Sequence, residues 1–327
     1  MEINLHKWFR CKVNTNELKN LRNKSDWPGI KHISIYFIIL FISGYLAYYT
    51  WGTWWCVLWF FIYGNIYSCS NPIWHETGHR TAFKSRLLND IFYQIGSFMT
   101  NFEPTRWRWS HFHHHSHTLS TYDPYDYEIQ VTKPTDLLLV LAFVFPFGKL
   151  IFQHRLQQLE TLKHALGITT DVMKDCIPEK ERSECRLIAR IHVVIWILTI
   201  VTAIIYQSWF PILYILLPAH YGNTLFEIFS ITQHAGLLNN SKDHRLSTRN
   251  VYLNPIFSFL YWHMEYHIEH HMFPLVPSYK LPKLHMLVKN QLPPAKKGLW
   301  EAYKEIIPAL IRQAKDRHYK IDVSIPR

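Results

Sequence analysis

A chain of 327 residues with a formal charge of +11 has room for one large domain or two ordinary ones. Aromatic residues make up 16% of it, and several apolar runs approach the length of a bilayer span, which excludes an ordinary soluble protein. With spans present, the basic excess belongs to a cytoplasmic membrane face rather than to nucleic acid, for which no binding module is visible.

The five cysteines, Cys11, Cys56, Cys69, Cys176 and Cys185, form no C-x-x-C pair. That excludes a zinc ribbon or a cysteine-ligated iron–sulfur cluster within the chain, and reduced thiols facing the cytosol are expected. The first 30 residues are mixed and polar, so no signal peptide is expected.

In chain order, residues 1–32 carry Lys7, Arg10, Lys12, Lys19, Arg22, Lys24 and Lys31, which places the amino terminus in the cytoplasm. Residues 33–51 form a first expected span and 54–70 a second, turning at Gly52-Thr53, with no charge between Lys31 and His75. The polar, histidine-rich stretch 71–136 must lie outside the hydrocarbon. The run 137–152 resembles a span, but it is short and interrupted by Pro146, Gly148 and Lys149. Arg155, Lys163, Lys174, Lys180, Arg182, Arg186 and Arg190 follow it, so charge bias makes it an interfacial or re-entrant element on the cytoplasmic side. Spans are expected again over 187–206 and 209–229, the latter kinked by Pro211 and Pro218. Residues 230–327 return to polar character and end in an amphipathic helix near 299–315. The expected fold is therefore one all-α integral membrane domain over 1–327. Four transmembrane helices in two hairpins carry a cytoplasmic helical cap, 71–190 and 230–327, that holds every histidine cluster.

Three clusters carry the chemistry. The first, His75-Glu76-Thr77-Gly78-His79, matches the H-E-x-x-H pattern of zinc proteases, in which the glutamate is general base. In the second, Arg108 to Thr118, a helix puts His111, His114 and His115 on one face and His113 and His117 opposite. The third is Tyr266-His267-Ile268-Glu269-His270-His271-Met272-Phe273-Pro274, with its histidines at i, i+3 and i+4. His234, after the last expected span, reads equally as a structural histidine or a ligand. His263 lies one turn before His267 and could support it, and His220 sits within an apolar run. Neutral imidazoles suit iron, copper, zinc and nickel. His75, His79, His111, His114, His115, His234, His267, His270 and His271 are too many for one metal, but serve two with four or five each. Nitrogen donors favour a redox-capable pair over magnesium or calcium. Glu76, Asp123, Asp126, Glu265 and Glu269 are within sequence reach to accept the rings' other N–H groups.

On these residues the chain resembles the integral-membrane fatty acid desaturase and hydroxylase superfamily, whose pattern is three histidine boxes. The boxes are His75–His79, His111–His115 and His267–His271, in order and with a two-span hairpin between the second and third. The run from Tyr266 to Pro274, followed by Pro277 and by Lys280 to His285, is similar to the acyl-lipid desaturase branch. The alkane hydroxylase branch has a differently shaped second box.

The resemblance implies a non-haem di-iron centre using O2 as co-substrate, with His234 as the ligand between boxes two and three. It also implies C–H abstraction from the alkyl chain of a membrane lipid, giving a double bond or, alternatively, a hydroxyl on an alkyl, carotenoid or other small lipid-like substrate. No H-P-G-G haem motif and no G-x-G-x-x-G fingerprint are present. Electrons must then come from a separate carrier, a ferredoxin or cytochrome b5 with its reductase, and a basic cytoplasmic surface suits an acidic partner. A zinc intramembrane protease and a histidine-rich metal transporter are the readings from other classes.

Overall fold

The computed structural model describes residues 8–128, 144–152, 157–316 and 318–326. Among the described residues it is helical throughout, with an isolated pairing between Val251 and Lys296 in place of any strand. The run expected as an interfacial element, 137–152, falls largely outside the described residues; Gly148–Phe152 is a short helix.

The chain enters through α1 (Thr15–Arg22), where the Asn14 side chain accepts the N–H groups of Asn16 and Glu17. Helix α2 (Asp26–Tyr49) and α3 (Trp54–Ser68) form the first hairpin, turning through Gly52 at φ 85°. At its 24 residues α2 is about 36 Å long, enough for a hydrocarbon core of about 30 Å. It exposes Trp27, Ile38, Phe41 and Tyr49, while Tyr36, Leu40, Gly44 and Ala47 face inward. Helix α4 (Asn71–Gly78) follows, then α5 (Arg86–Met99) and α6 (Pro104–Ser116).

After α7 (Gly148–Phe152), the short helices α8 (Gln157–Ala165) and α9 (Asp171–Cys176) lead into α10 (Arg182–Ile205). With the 3-10 turn before it, this last apolar helix runs Glu179–Ile205. It and α2 are the two described helices long and apolar enough to cross a membrane. Leu187, Val194, Leu198 and Ile205 are exposed along it, as a lipid-facing helix requires.

The stretch expected as one span over 209–229 is not one helix. It divides into a π-helical turn, Ile212–Leu216, then α11 (Pro218–Tyr221) and α12 (Thr224–His234). Proline cannot donate the N–H that a continuous helix needs at 218, and the turn before it widens. Three tyrosine hydroxyls satisfy carbonyls in the break: Tyr63 donates to Tyr214 at 3.0 Å, Tyr67 to Ile215 at 3.3 Å and Tyr221 to Leu213 at 2.9 Å. The crossing is backbone on backbone, since a Cβ on Gly222 would lie 1.9 Å from the carbonyl carbon of Gly64. This contact aims α12, and with it His234, at His114, His267 and His271.

The helical order closes with α13 (His244–Ser247), α14 (Pro255–Leu260), α15 (His267–Met272), α16 (Leu281–Val288) and α17 (Leu299–Gln313). The expected C-terminal amphipathic helix is α17, which buries Ala302, Ile306, Ala309 and Leu310. Its Tyr303 donates to the Ile228 carbonyl of α12 at 2.8 Å.

Candidate metal centre

Helix α4 begins at a bend after α3, with Pro72 in its first turn, and carries His75 with His79 as its C-cap. Trp74 on the same helix packs edge-on to Phe102, Trp107 and His111, and so fixes α4 against α6. The close approach of α4 and α5 depends on Gly96, whose Cβ would meet the Trp74 backbone nitrogen at 2.8 Å. Helix α6 presents His111, His114 and His115, α12 ends on His234, and α15 opens with His267, His270 and His271.

These nine side chains meet in two adjoining groups. In the first, Nε2 of His79 lies 2.8 Å from Nε2 of His111, which is 3.1 Å from Nε2 of His115, itself 3.2 Å from Nε2 of His270. His75 completes it, its ring 4.5 Å from that of His111 and 4.4 Å from that of His270. The candidate ligand atoms of these five all lie within 4.8 Å of one another. The second group is His114, His234 and His271, to the same tolerance, with His267 joined to it by Nε2–Nε2 contacts of 3.1 Å to both His234 and His271. The groups touch where the rings of His115 and His271 stand 4.4 Å apart.

The hydrogen bonds show which nitrogens face inward. Nδ1 of His111 meets the Glu128 carboxylate at 2.9 Å, Nδ1 of His114 meets Asp126 at 2.8 Å, and Nδ1 of His234 meets the Ser247 carbonyl at 2.8 Å. Carboxylate and carbonyl oxygens only accept, so these three rings carry their proton on Nδ1 and turn an Nε2 lone pair toward the neighbouring imidazoles. Burial, reinforced by neighbouring imidazoles, holds His75, His79, His115, His267, His270 and His271 well below the ordinary imidazole range. His234 is held down to about 3 for the same reason. His114 is the exception: burial lowers it, but the Asp126 carboxylate outweighs burial and raises it.

Nε2 atoms converge at 2.8–3.2 Å, and those of His111 and His234 enter these contacts as lone pairs. Nδ1 of His115, His267 and His270 and both nitrogens of His75 are buried without a hydrogen-bond partner among the described residues. A cation among the Nε2 atoms of each group resolves that arrangement, so the residues fit a pair of nitrogen-ligated metals.

Other expectations are redistributed. His113 and His117 stack on each other at 4.4 Å on the far face of α6, outside both groups. His263 is not one turn before His267 on a shared helix, because Trp262 and His263 both take positive φ and α15 starts only at His267. Its ring bonds Ser258 at 2.9 Å instead. Of the expected acceptors, Asp126 serves His114, whereas Asp123 is exposed and Glu265 bonds Ser258. Glu269 is fully buried but holds Asn250 and the non-ligand His285. Glu76 accepts the Thr81 hydroxyl and the Ser278 N–H, each at 3.0 Å, which ties the first box to the segment after the third. In a zinc protease that carboxylate would be a general base; here it is a structural strut, with burial pushing it up to about 7.

No motif marks Glu128, the Ser247 carbonyl or His244. Glu128 follows the second box through an irregular loop that offers no periodicity to read. His244, buried, sits with its ring 4.8 Å from that of His271 and stacks on Trp8 at 4.0 Å; only the abundance of histidine pointed to it. His220 lines, with Gln158 at 2.7 Å, a cavity of about 220 Å³ that reaches His75, His111, His114, His234 and His267.

Among the described residues, an all-helical fold with two helices long and apolar enough to cross a membrane brings together histidine groups that could hold metal. The family model for fatty acid desaturases matches residues 20–303, and the chain is a member of that family. Family membership makes it an oxidoreductase of the desaturase and hydroxylase superfamily, a membrane-associated one. Among curated proteins no significant match is found.

Proposed function

We propose that this protein is an O2-dependent, non-haem di-iron desaturase acting on the acyl chain of a membrane lipid. The observation that carries the reading is the division of nine imidazoles into adjoining groups of five and four, each sufficient for one metal. His75, His79, His111, His115 and His270 would hold one iron, and His114, His234, His267 and His271 the other. Bound there, the pair would supply the O2 activation that breaks an unactivated C–H bond. The chain's own contribution is to keep His75, His79, His115, His234, His267, His270 and His271 neutral by burial, to orient His111, His114 and His234 through Glu128, Asp126 and the Ser247 carbonyl, and to present a cavity beside them.

The proposed topology has four membrane passages, over α2, α3, α10 and the broken 209–229 segment, with both termini and the metal centre in the cytoplasm. Fifteen residues in α3 span about 22 Å, so the turn at Gly52 and the bend before α4 must complete that passage. Electrons would come from a separate ferredoxin or cytochrome b5.

Hydroxylation of a smaller, lipid-like substrate is the second reading, and the cavity favours it. Asn101, Gln158, Asn223 and Gln233 line it, and a bare alkyl chain would leave such groups unsatisfied. Lipid profiling of a host expressing the chain with a ferredoxin system separates the two. A new unsaturated acyl chain supports the first reading; a hydroxylated product with unchanged acyl unsaturation replaces it with the second. About two irons per chain are expected on elemental analysis, and a single zinc in their place would sink both.

A further inference from the structure

Away from the histidine centre, three side chains of different chemistry converge in a buried part of the fold: Glu103, His164 and Cys185, only 1%, 0% and 0% exposed. Cys185 Sγ is 2.9 Å from Glu103 Oε2 and 3.5 Å from His164 Nδ1, and the three candidate ligand atoms all lie within 4.8 Å of one another. We propose that Glu103, His164 and Cys185 form a structural zinc site, separate from the histidine centre, that clips the second-box helix to the start of the long apolar helix.

The donor set is the first argument. Thiolate, imidazole and carboxylate are the three side chains that bind zinc, and tetrahedral zinc with bonds of about 2.0–2.3 Å sets its ligand atoms roughly 3.3–3.7 Å apart. The sulfur–nitrogen spacing already falls in that range. The shorter sulfur–oxygen contact is the hydrogen bond that the protonated thiol makes to the carboxylate. Zinc takes the place of that proton, which leaves to solvent, and no electrons are exchanged.

Orientation is the second argument. Nε2 of His164 is engaged at 2.8 Å by the Thr170 hydroxyl, which leaves Nδ1 as the nitrogen turned toward Cys185. Glu103 is fixed by the N–H groups of Thr105 and Arg106 at 3.0 and 2.6 Å. The nearby Arg106 guanidinium pairs with Glu160 at 2.7 Å, so its charge is already compensated. Water is the candidate for the fourth position.

Placement is the third. Glu103 caps α6, His164 lies in the last turn of α8, and Cys185 lies in the first turn of α10. His111 follows Glu103 by eight residues, about 12 Å along α6, so these donors cannot reach the metals of the histidine centre. A cation here would hold the helix that carries His111, His114 and His115 at a set distance from the membrane.

The test is metal counting on the full-length, iron-loaded protein in detergent after equilibration with zinc and dialysis. About one zinc per chain is expected beside the irons. Cys185→Ser and His164→Gln should each lower zinc at least tenfold with iron unchanged. Zinc that persists in Cys185→Ser, or that disappears instead in His267→Ala, overturns the proposal. Should both clip variants fail to fold, cobalt exchange into the wild type decides: a thiolate-to-cobalt charge-transfer band in the near-ultraviolet supports the site, and its absence overturns it. Iron is counted on the same samples, so failure of the zinc clip and failure of the di-iron reading are distinguishable.

Discussion

The two histidine groups differ in a way that explains the spacing of the boxes. In α6, the i and i+4 residues His111 and His115 join the group of five, and the i+3 residue His114 joins the other. In α15 the assignment is reversed: His267 and His271 join the group of four, and His270 crosses to the first. Residues four apart on a helix stack on one face and chelate together, while the i+3 position is rotated away by about 60° from the i position. An H-x-x-H-H helix is therefore a bridging element, two rings to one site and one to its neighbour. The first box adds its own i, i+4 pair to the group of five, whereas the group of four gains only the single His234. The groups are thus unequally supplied, and the poorer one depends on a residue outside any box.

That inequality predicts the largest effect. His234→Ala leaves three imidazoles, and iron should fall from about two per chain to about one with loss of activity. His79→Ala leaves four and should retain more iron. Equal losses on elemental analysis would show that the groups are not independent.

The carboxylates behind the rings come next. Asp126→Asn and Glu128→Gln should each weaken iron binding about 10–100-fold, measured by competition with a chelator. The larger effect is expected at Asp126, whose side chain is 1% exposed against 11% for Glu128. A smaller and different change is expected for Glu269→Gln. It leaves buried Asn250 and His285 imperfectly paired, costing about 1–3 kcal/mol in thermal or denaturant unfolding, with activity per bound iron unchanged. His113→Ala, on the far face of α6, should stay within about 0.5 kcal/mol of the parent and keep its iron. A loss of iron there would mean the far face feeds the centre.

Read residue by residue, the sequence determined the parts that repeat at short range. Helical periodicity placed His111, His114 and His115 on one face of α6 and His113 with His117 on the other, because 3.6 residues per turn leaves no alternative. Counting imidazoles pointed to more than one group, and a charge-free stretch between Lys31 and His75 pointed to the α2–α3 hairpin. Only tertiary structure decided which ring joins which group, because that depends on how α4, α6, α12 and α15 cross. It also decided that the 209–229 stretch breaks into three, since the tyrosine hydroxyls that satisfy the freed carbonyls come from α3 and α11. The acidic residues show the same division. Glu76 and Glu269 stand inside the boxes yet bond Ser278 and His285, while Glu128 and the Ser247 carbonyl, outside any motif, orient the rings of His111 and His234. A carboxylate acts on whatever donor packing brings within 3 Å, and packing is not a property of sequence neighbours.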